Sequence, residues 1–145
     1  MPDQHGENDP TIAAEEPLYL RVFPRADLLV QDHAGYRPAS GCFRSQEALS
    51  VDLASLSTPE ETRDRDKSHP YHIAAFTAGV ARAEGCRVTR DPLPENPAHA
   101  LVYGDHQKGA GALTKGQAKK IAQQARIILL NEGALFINDG QDLNN

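Results

Sequence analysis

The sequence is poor in the residues that cross-link small domains. It has two cysteines, one methionine and no tryptophan among 145 residues, and aromatic residues make up only 6%. Cys42 and Cys86 stand in no CxxC spacing, so neither a disulfide framework nor a cysteine-rich zinc site is expected. We interpret both as ordinary buried thiols of a reducing compartment.

Long apolar runs are also missing. No window approaches the roughly 20 apolar residues of a membrane span, and the first 16 residues are acidic and polar, unlike a secretory signal. A chain of 145 residues has the length of one ordinary domain with its own core. The sequence therefore predicts a cytoplasmic, single-domain protein without membrane contact.

Charge is unevenly distributed along the chain, whose formal net charge is −5. Acidic residues dominate both ends, whereas all 15 Lys and Arg lie within 17–131. We expect a disordered acidic tail over 1–16, a single domain over 17–138 and a frayed C-terminus over 139–145. The tails either aid solubility or cover the mildly basic body until a polyanion displaces them.

Alternation of apolar and polar residues predicts a sheet. In 48–54, Leu49, Val51 and Leu53 point one way, and Ser50 and Asp52 point the other. Further strands are expected at 17–23, 27–30, 42–44, 72–77, 86–90, 98–103 and 134–137.

Two capping boxes mark helix starts, Thr58 with Glu61 and Thr114 with Gln117. The second opens the clearest helix of the chain, expected to run to about residue 131. It should pack through Ile121, Ala125 and Ile128.

A further short helix is expected at 78–84. Together these patterns predict an α+β domain: a mixed or mostly antiparallel sheet of four to six strands, with a C-terminal amphipathic helix packed on one face.

Histidines are the first candidates for chemistry. His69 and His72 are spaced i, i+3, and no HxH or HExxH motif is present, so we expect no metal site and no cofactor. His72 and His99 start two predicted strands. If those strands are neighbours, one imidazole can accept a proton while the other donates one, as phosphodiester cleavage requires. Arg21, Lys108 or Lys119 can then neutralise the phosphate. Alternatively, His99 only donates a hydrogen bond to a carbonyl at its strand end.

Two side chains are candidate nucleophiles, with His99 as their base. Ser50 points away from the predicted core face beside Asp52, without a GxSxG motif around it. Cys42 has Arg44 close by, which would lower the pKa of the thiol. The alternative for Ser50 is plain polar surface.

The segments LYLRV, GCFRS and LSVD within residues 17–53 resemble the opening of ADP-ribosyltransferase-like and RES-type domains. The resemblance covers about a quarter of the chain and implies an NAD-consuming activity. In those families an arginine on an early strand and a serine on a later strand hold NAD, and Arg21 and Ser50 match these positions. Glu84 is the nearest match to their catalytic glutamate.

A basic stripe on the C-terminal helix is a candidate contact for nucleic acid or another anion. It comprises Lys115, Lys119, Lys120 and Arg126.

Two functions follow from these patterns. The first is a small accessory or binding protein that uses its basic face or a sheet edge, with a protein partner expected and nucleic acid as an alternative. The second is a metal-independent enzyme, a nuclease or phosphodiesterase or an NAD-consuming transferase, using Arg21, Ser50, His72 and His99. The sequence leaves open which of the two applies.

Overall fold

One antiparallel sheet organises residues 6–133, the part of the chain that the computed structural model describes. Six strands follow the order β6-β7-β4-β1-β5-β8, and β2 and β3 form a separate hairpin. The strands are β1 Pro17–Val22, β2 Leu29–Asp32, β3 Gly35–Pro38, β4 Leu49–Leu53, β5 His72–Thr77, β6 Arg87–Arg90, β7 His99–Tyr103 and β8 Arg126–Leu129. The helices are α1 Pro59–Asp64, α2 Ala78–Ala83 and α3 Lys115–Gln124.

The core lies on one face of this sheet. Strand alternation sends Leu49, Val51 and Leu53 into it, as predicted. The same core receives small and branched side chains from α3, namely Ala118, Ile121 and Ala122, and from Ala125 directly after the helix. The predicted α+β domain with a helix packed on one sheet face is confirmed.

Both predicted capping boxes are present. The Thr58 and Thr114 hydroxyls each accept the amide of the third helical residue, and that residue's side chain returns to the cap amide. The caps satisfy amides that have no partner within the helix, which fixes where α1 and α3 begin.

The C-terminal helix is shorter than predicted. Ala125 adopts extended geometry (φ −88°, ψ 157°), and β8 pairs with β5 as an edge strand. Ile128 is therefore 46% exposed rather than buried on a helix face. Branched residues at 127 and 128 fit a strand well, and pairing with β5 overrides the helical continuation.

Other expectations differ from the structure in detail. The strand expected at 27–30 begins later, as β2, after a 3-10 turn at Ala26–Leu28. The one expected at 42–44 is instead part of the 3-10 turn Ser40–Phe43. The strand expected at 134–137 and the frayed end at 139–145 lie outside the described residues.

Residues 6–16, the described part of the predicted disordered tail, make defined contacts with the domain. The Asn8 side-chain oxygen accepts the Val88 amide, and the Asp9 amide donates to the Val88 carbonyl, both at 2.9 Å. Ile12 is buried in the core. Residues 7–11 thus lie along the free edge of β6, and the carbonyls of Ala14 and Glu16 accept amides at the start of α2. An acidic composition does not reveal such contacts.

Within residues 6–133, no helix is long and apolar enough to cross a membrane.

Candidate functional site

Sheet register places a row of polar side chains on the face opposite the core. Asp52 pairs with Tyr19 on one side and with His99 on the other. Arg21 lies two residues after Tyr19 on β1, and Ser50 lies two residues before Asp52 on β4, so both side chains share the face of that row. Three of the four predicted catalytic residues, Arg21, Ser50 and His99, therefore lie on one face of the sheet.

A cleft of about 350 Å³ opens beside this row. The β1–β4 ladder covers only Leu18 and Tyr19 opposite Leu53 and Asp52. The residues that follow Tyr19 on β1 and those that precede Asp52 on β4 line the cleft. Its polar lining comprises Tyr19, Arg21, Ser45, Glu47, Ser50, Asp52, Thr62, Asp66, Tyr71, Asn96 and His99. The volume lies within the range of small-molecule sites, roughly 300–1,000 Å³.

Arg21 is held in the cleft with donors to spare. Its Nη1 donates to the Thr62 carbonyl at 3.1 Å, and its guanidinium carbon lies 5.7 Å from the Tyr71 ring centroid. A guanidinium has five N–H donors, and this is its one hydrogen bond with the described residues. The remaining donors suit a phosphate or carboxylate of a ligand.

Asp66 holds the other side of Tyr71. It accepts the Tyr71 hydroxyl at 3.0 Å, and the Ser68 hydroxyl and amide also donate to it. The bonds from Ser68, with those from Tyr71 and the charge of Arg21, lower the pKa of Asp66 to about 2. The cleft therefore contains an ionised carboxylate at neutral pH.

His99 is oriented by Asp91. Its Nδ1 lies 3.0 Å from both the carbonyl oxygen and the carboxylate Oδ2 of Asp91. Both partners are acceptors, so the ring proton is assigned to Nδ1 and Nε2 carries the lone pair in the neutral imidazole. The expected bond to a carbonyl is present, and the added carboxylate gives the arrangement of an oriented general base.

Asp52 is the centre of a buried network. It accepts the Thr62 hydroxyl at 2.7 Å, the Asn96 amide at 2.8 Å and Arg65 Nε at 3.1 Å. Burial alone would raise the pKa of Asp52, but the donors Asn96, Thr62 and Arg65 outweigh it, so the pKa is lowered. The network ties α1 and the residue after it to the sheet face.

His72 does not join the cleft. It pairs with Val22, so it lies on the core face of the sheet, where it is 1% exposed. Its Nδ1 accepts the Asn131 amide at 2.9 Å, and burial lowers the pKa of the imidazole. The acid–base pair expected of His72 and His99 is therefore not assembled.

Two further candidates have other surroundings than expected. The Cys42 thiol lines the cleft, but burial raises its pKa to about 12, and Sγ donates to the Leu28 carbonyl at 3.4 Å. It stays protonated, so it is not the activated nucleophile that the neighbouring Arg44 suggested. Glu84 ends α2 and does not line the cleft.

The predicted basic stripe is split between two elements. Lys115, Lys119 and Lys120 are exposed on α3, whereas Arg126 lies on β8 and forms a two-pronged ion pair with Asp32, at 2.8 and 3.2 Å. The stripe assumed a helix through residue 126, and α3 ends before it.

Among residues 6–133, no group of three or more His, Cys, Asp or Glu side chains could hold a metal ion. No protein-family model matches the chain, and no significant similarity to a curated protein or a solved structure was found. Function must therefore be argued from the cleft itself.

Asp91, Asp66 and Tyr71 are site residues that sequence reasoning missed. Asp91 precedes a proline-rich connection whose path back to His99 no local pattern shows. The only available signal was spacing: an acid eight residues before a strand-opening histidine is compatible with a hairpin-like return.

Proposed function

We propose that the chain is a metal-independent enzyme that binds an NAD-type dinucleotide in the cleft and cleaves the bond between nicotinamide and ribose. The observation that carries the proposal is that the cleft combines an arginine with spare donors, one oriented histidine and several carboxylates. NAD carries phosphates and a cationic pyridinium ring. The arginine complements the phosphates, and the carboxylates complement the ring.

Arg21 is assigned to a phosphate, because its planar guanidinium suits bidentate recognition. The carboxylate of Asp66, which lines the cleft, is assigned to the pyridinium and to the positive charge that develops on the ribose during cleavage. Tyr19, which lines the cleft, supplies a further attraction for a cationic ring.

Cleavage requires a base and no acid. The bond between ribose C1′ and the pyridinium nitrogen breaks, and its electron pair neutralises the ring, so nicotinamide departs unprotonated. A water oxygen bonds to C1′, and its proton passes to His99 Nε2 before release to solvent. If Ser50 or another hydroxyl takes the place of water, the same base serves it.

Because cleavage of the nicotinamide–ribose bond needs only a base, the single oriented histidine favours NAD over a phosphodiester as the substrate. Phosphodiester cleavage needs an acid to protonate the departing oxygen, and the expected second histidine, His72, lies on the opposite face of the sheet. Similarity of residues 17–53 to ADP-ribosyltransferase-like and RES-type domains supports the same substrate. The sequence departs from those families in that Glu84 is away from the cleft, and we assign the role of their glutamate to Asp66.

The test incubates the purified chain with NAD and measures the released nicotinamide by chromatography. Wild-type protein should release it, and His99→Asn should be slower by about 100-fold or more, the usual contribution of a general base. Arg21→Lys should raise KM because it loses the two-pronged donor.

The matched controls are His33→Asn and Arg44→Lys, since neither His33 nor Arg44 lines the cleft and both are exposed. Both controls should behave as wild type. No nicotinamide from wild-type protein, or equal rates for His99→Asn and His33→Asn, would refute the proposal.

A second candidate function is binding of nucleic acid through α3, which carries Lys115, Lys119 and Lys120 and no acidic residue. Anisotropy of labelled oligonucleotides at two salt concentrations tests it, because phosphate contacts weaken steeply with salt. Loss of binding in the triple Lys→Gln variant would support this function. A protein partner at this face or at a sheet edge stays a prediction, which a pull-down with the same variant addresses.

A further inference from the structure

We infer that a second pocket, lined by His106 and Lys108, binds the adenylate phosphate of the dinucleotide. This inference rests on the proposed function and assigns the half of the ligand that the first cleft leaves unassigned. The second pocket has a volume of about 400 Å³ and is lined by Ser45, Gln46, His106, Lys108, Gly109 and Ala112.

The two pockets are neighbours. Ser45 lines both of them, so a ligand that extends past this residue enters the second pocket from the first. The Ala48 amide donates to the Ala110 carbonyl at 2.8 Å, which joins the loop carrying His106 and Lys108 to a residue that lines the first pocket. The lining of the second pocket is therefore held in place relative to the first pocket by a backbone hydrogen bond.

The charges of the two pockets differ in a way that matches NAD. Glu47, Asp52 and Asp66 line the first pocket, whereas none of the residues lining the second is acidic. The carboxylates suit the pyridinium end, and Lys108 supplies a positive charge for a phosphate of the other end.

His106 presents a donor to the pocket in either protonation state. Its Nδ1 accepts the Lys108 amide at 3.0 Å, so the ring proton of the neutral form is assigned to Nε2. An N–H at that position can donate to a phosphate oxygen while Lys108 neutralises the charge.

The loop is held in a conformation that side chains rarely adopt. Gly109, Ala110 and Gly111 all have positive φ, at 92°, 59° and 78°, and alanine at positive φ is uncommon. The backbone bonds from Gly104 to Gly111 and from His106 to Ala112, at 2.7 and 2.9 Å, close the loop on itself. Its shape therefore exists before any ligand arrives, which reduces the cost of binding.

The test compares ligands with and without the adenylate half in the full chain. KM for NAD and the inhibition constants of AMP and nicotinamide mononucleotide against NAD cleavage are measured for wild type, Lys108→Gln and His106→Asn. The matched control is Arg25→Gln, which removes a positive charge from an exposed residue that lines neither pocket.

Lys108→Gln should raise KM for NAD and the inhibition constant of AMP by roughly tenfold, the size of one charge-assisted hydrogen bond at a partly exposed site. The inhibition constant of nicotinamide mononucleotide should stay unchanged. His106→Asn should act in the same direction.

Two results would show that the second pocket is not the adenylate subsite although wild-type protein cleaves NAD. In one, Lys108→Gln and His106→Asn change neither KM for NAD nor the inhibition constant of AMP. In the other, they raise the inhibition constant of nicotinamide mononucleotide as much as that of AMP. The proposed function then stands. If wild-type protein cleaves no NAD and binds none of the three ligands, the proposed function itself is refuted, and this inference with it.

Discussion

Replacing Asp52 with asparagine should destabilise the fold strongly. Asp52 Oδ2 accepts Thr62 and Arg65, and Oδ1 accepts Asn96. An amide keeps one acceptor oxygen and places an NH₂ at the other position. If the NH₂ replaces Oδ2 it faces the Arg65 donor, and if it replaces Oδ1 it faces the Asn96 amide. Asn96 cannot turn over freely, because its own oxygen accepts the Ala98 amide.

The expected cost is about 3 kcal/mol. Removing one partner of a buried ion pair costs roughly 3–5 kcal/mol, and the lower end applies because the Arg65 side chain is 25% exposed. Arg65 also retains its bond to Ser57 at 2.8 Å. With m-values of roughly 1–3 kcal/mol per molar urea, the unfolding midpoint should fall by about 1–3 M at pH 7. Asp27→Asn, which breaks an exposed pair with Arg25, is the matched control and should leave the midpoint nearly unchanged.

The effect of Asp52→Asn should also depend on pH. Because the folded protein lowers the pKa of Asp52, its contribution to stability is present above the unfolded pKa of about 3.9. It is lost as the pH falls through the folded pKa. Urea titrations of wild type and variant should therefore converge in acid. Two results would refute this account of the network: a difference in the free energy of unfolding between wild type and variant below about 1 kcal/mol at pH 7, or a difference that grows as the pH falls below 4.

Three further predictions concern packing and caps, each measured by urea unfolding. Ile121→Ala, at a fully buried position, should cost about 2–4 kcal/mol, whereas Ile128→Ala should cost less than about 1; equal losses would show that the end of α3 is misplaced. Thr114→Ala removes a cap and should cost about 1 kcal/mol, and an unchanged midpoint would contradict the capping box. Gly104→Ala would place a methyl group 2.4 Å from a backbone carbon and should cost about 2–3 kcal/mol. Gly116→Ala, with 4.0 Å to its nearest neighbour, should be neutral or stabilising. A larger loss of stability in Gly116→Ala than in Gly104→Ala would contradict the predicted clash at Gly104.

Local patterns predicted the elements whose signals are local. The alternation through β4 gave its bounds and both of its faces, and the capping boxes placed the starts of α1 and α3. Failure came where pairing between distant segments decides the outcome. Residues 126–129 are compatible with helix and strand, and only the free edge of β5 selects the strand. The N-terminal segment is ordered for the same reason, because the edge of β6 accepts it.

The candidate site shows the same limit. Arg21 and Ser50 were identified as a pair through the resemblance of residues 17–53 to ADP-ribosyltransferase-like and RES-type domains. His72 was grouped with His99 because each opens a predicted strand, but the position of His72 within β5, opposite Val22, sends its side chain to the core face. Asp91 could not be chosen from sequence, since its contact with His99 depends on how the proline-rich connection folds back.

The most direct test of the central claim is a histidine NMR titration of the full chain with ADP-ribose. The ring signals of His99 in the cleft, and of His106 in the second pocket, should move and saturate together, while the exposed His33 and the buried His72 stay in place. Movement of His33 to the same extent as His99, or an unchanged His99 signal at saturating ADP-ribose, would contradict a nucleotide site in this cleft.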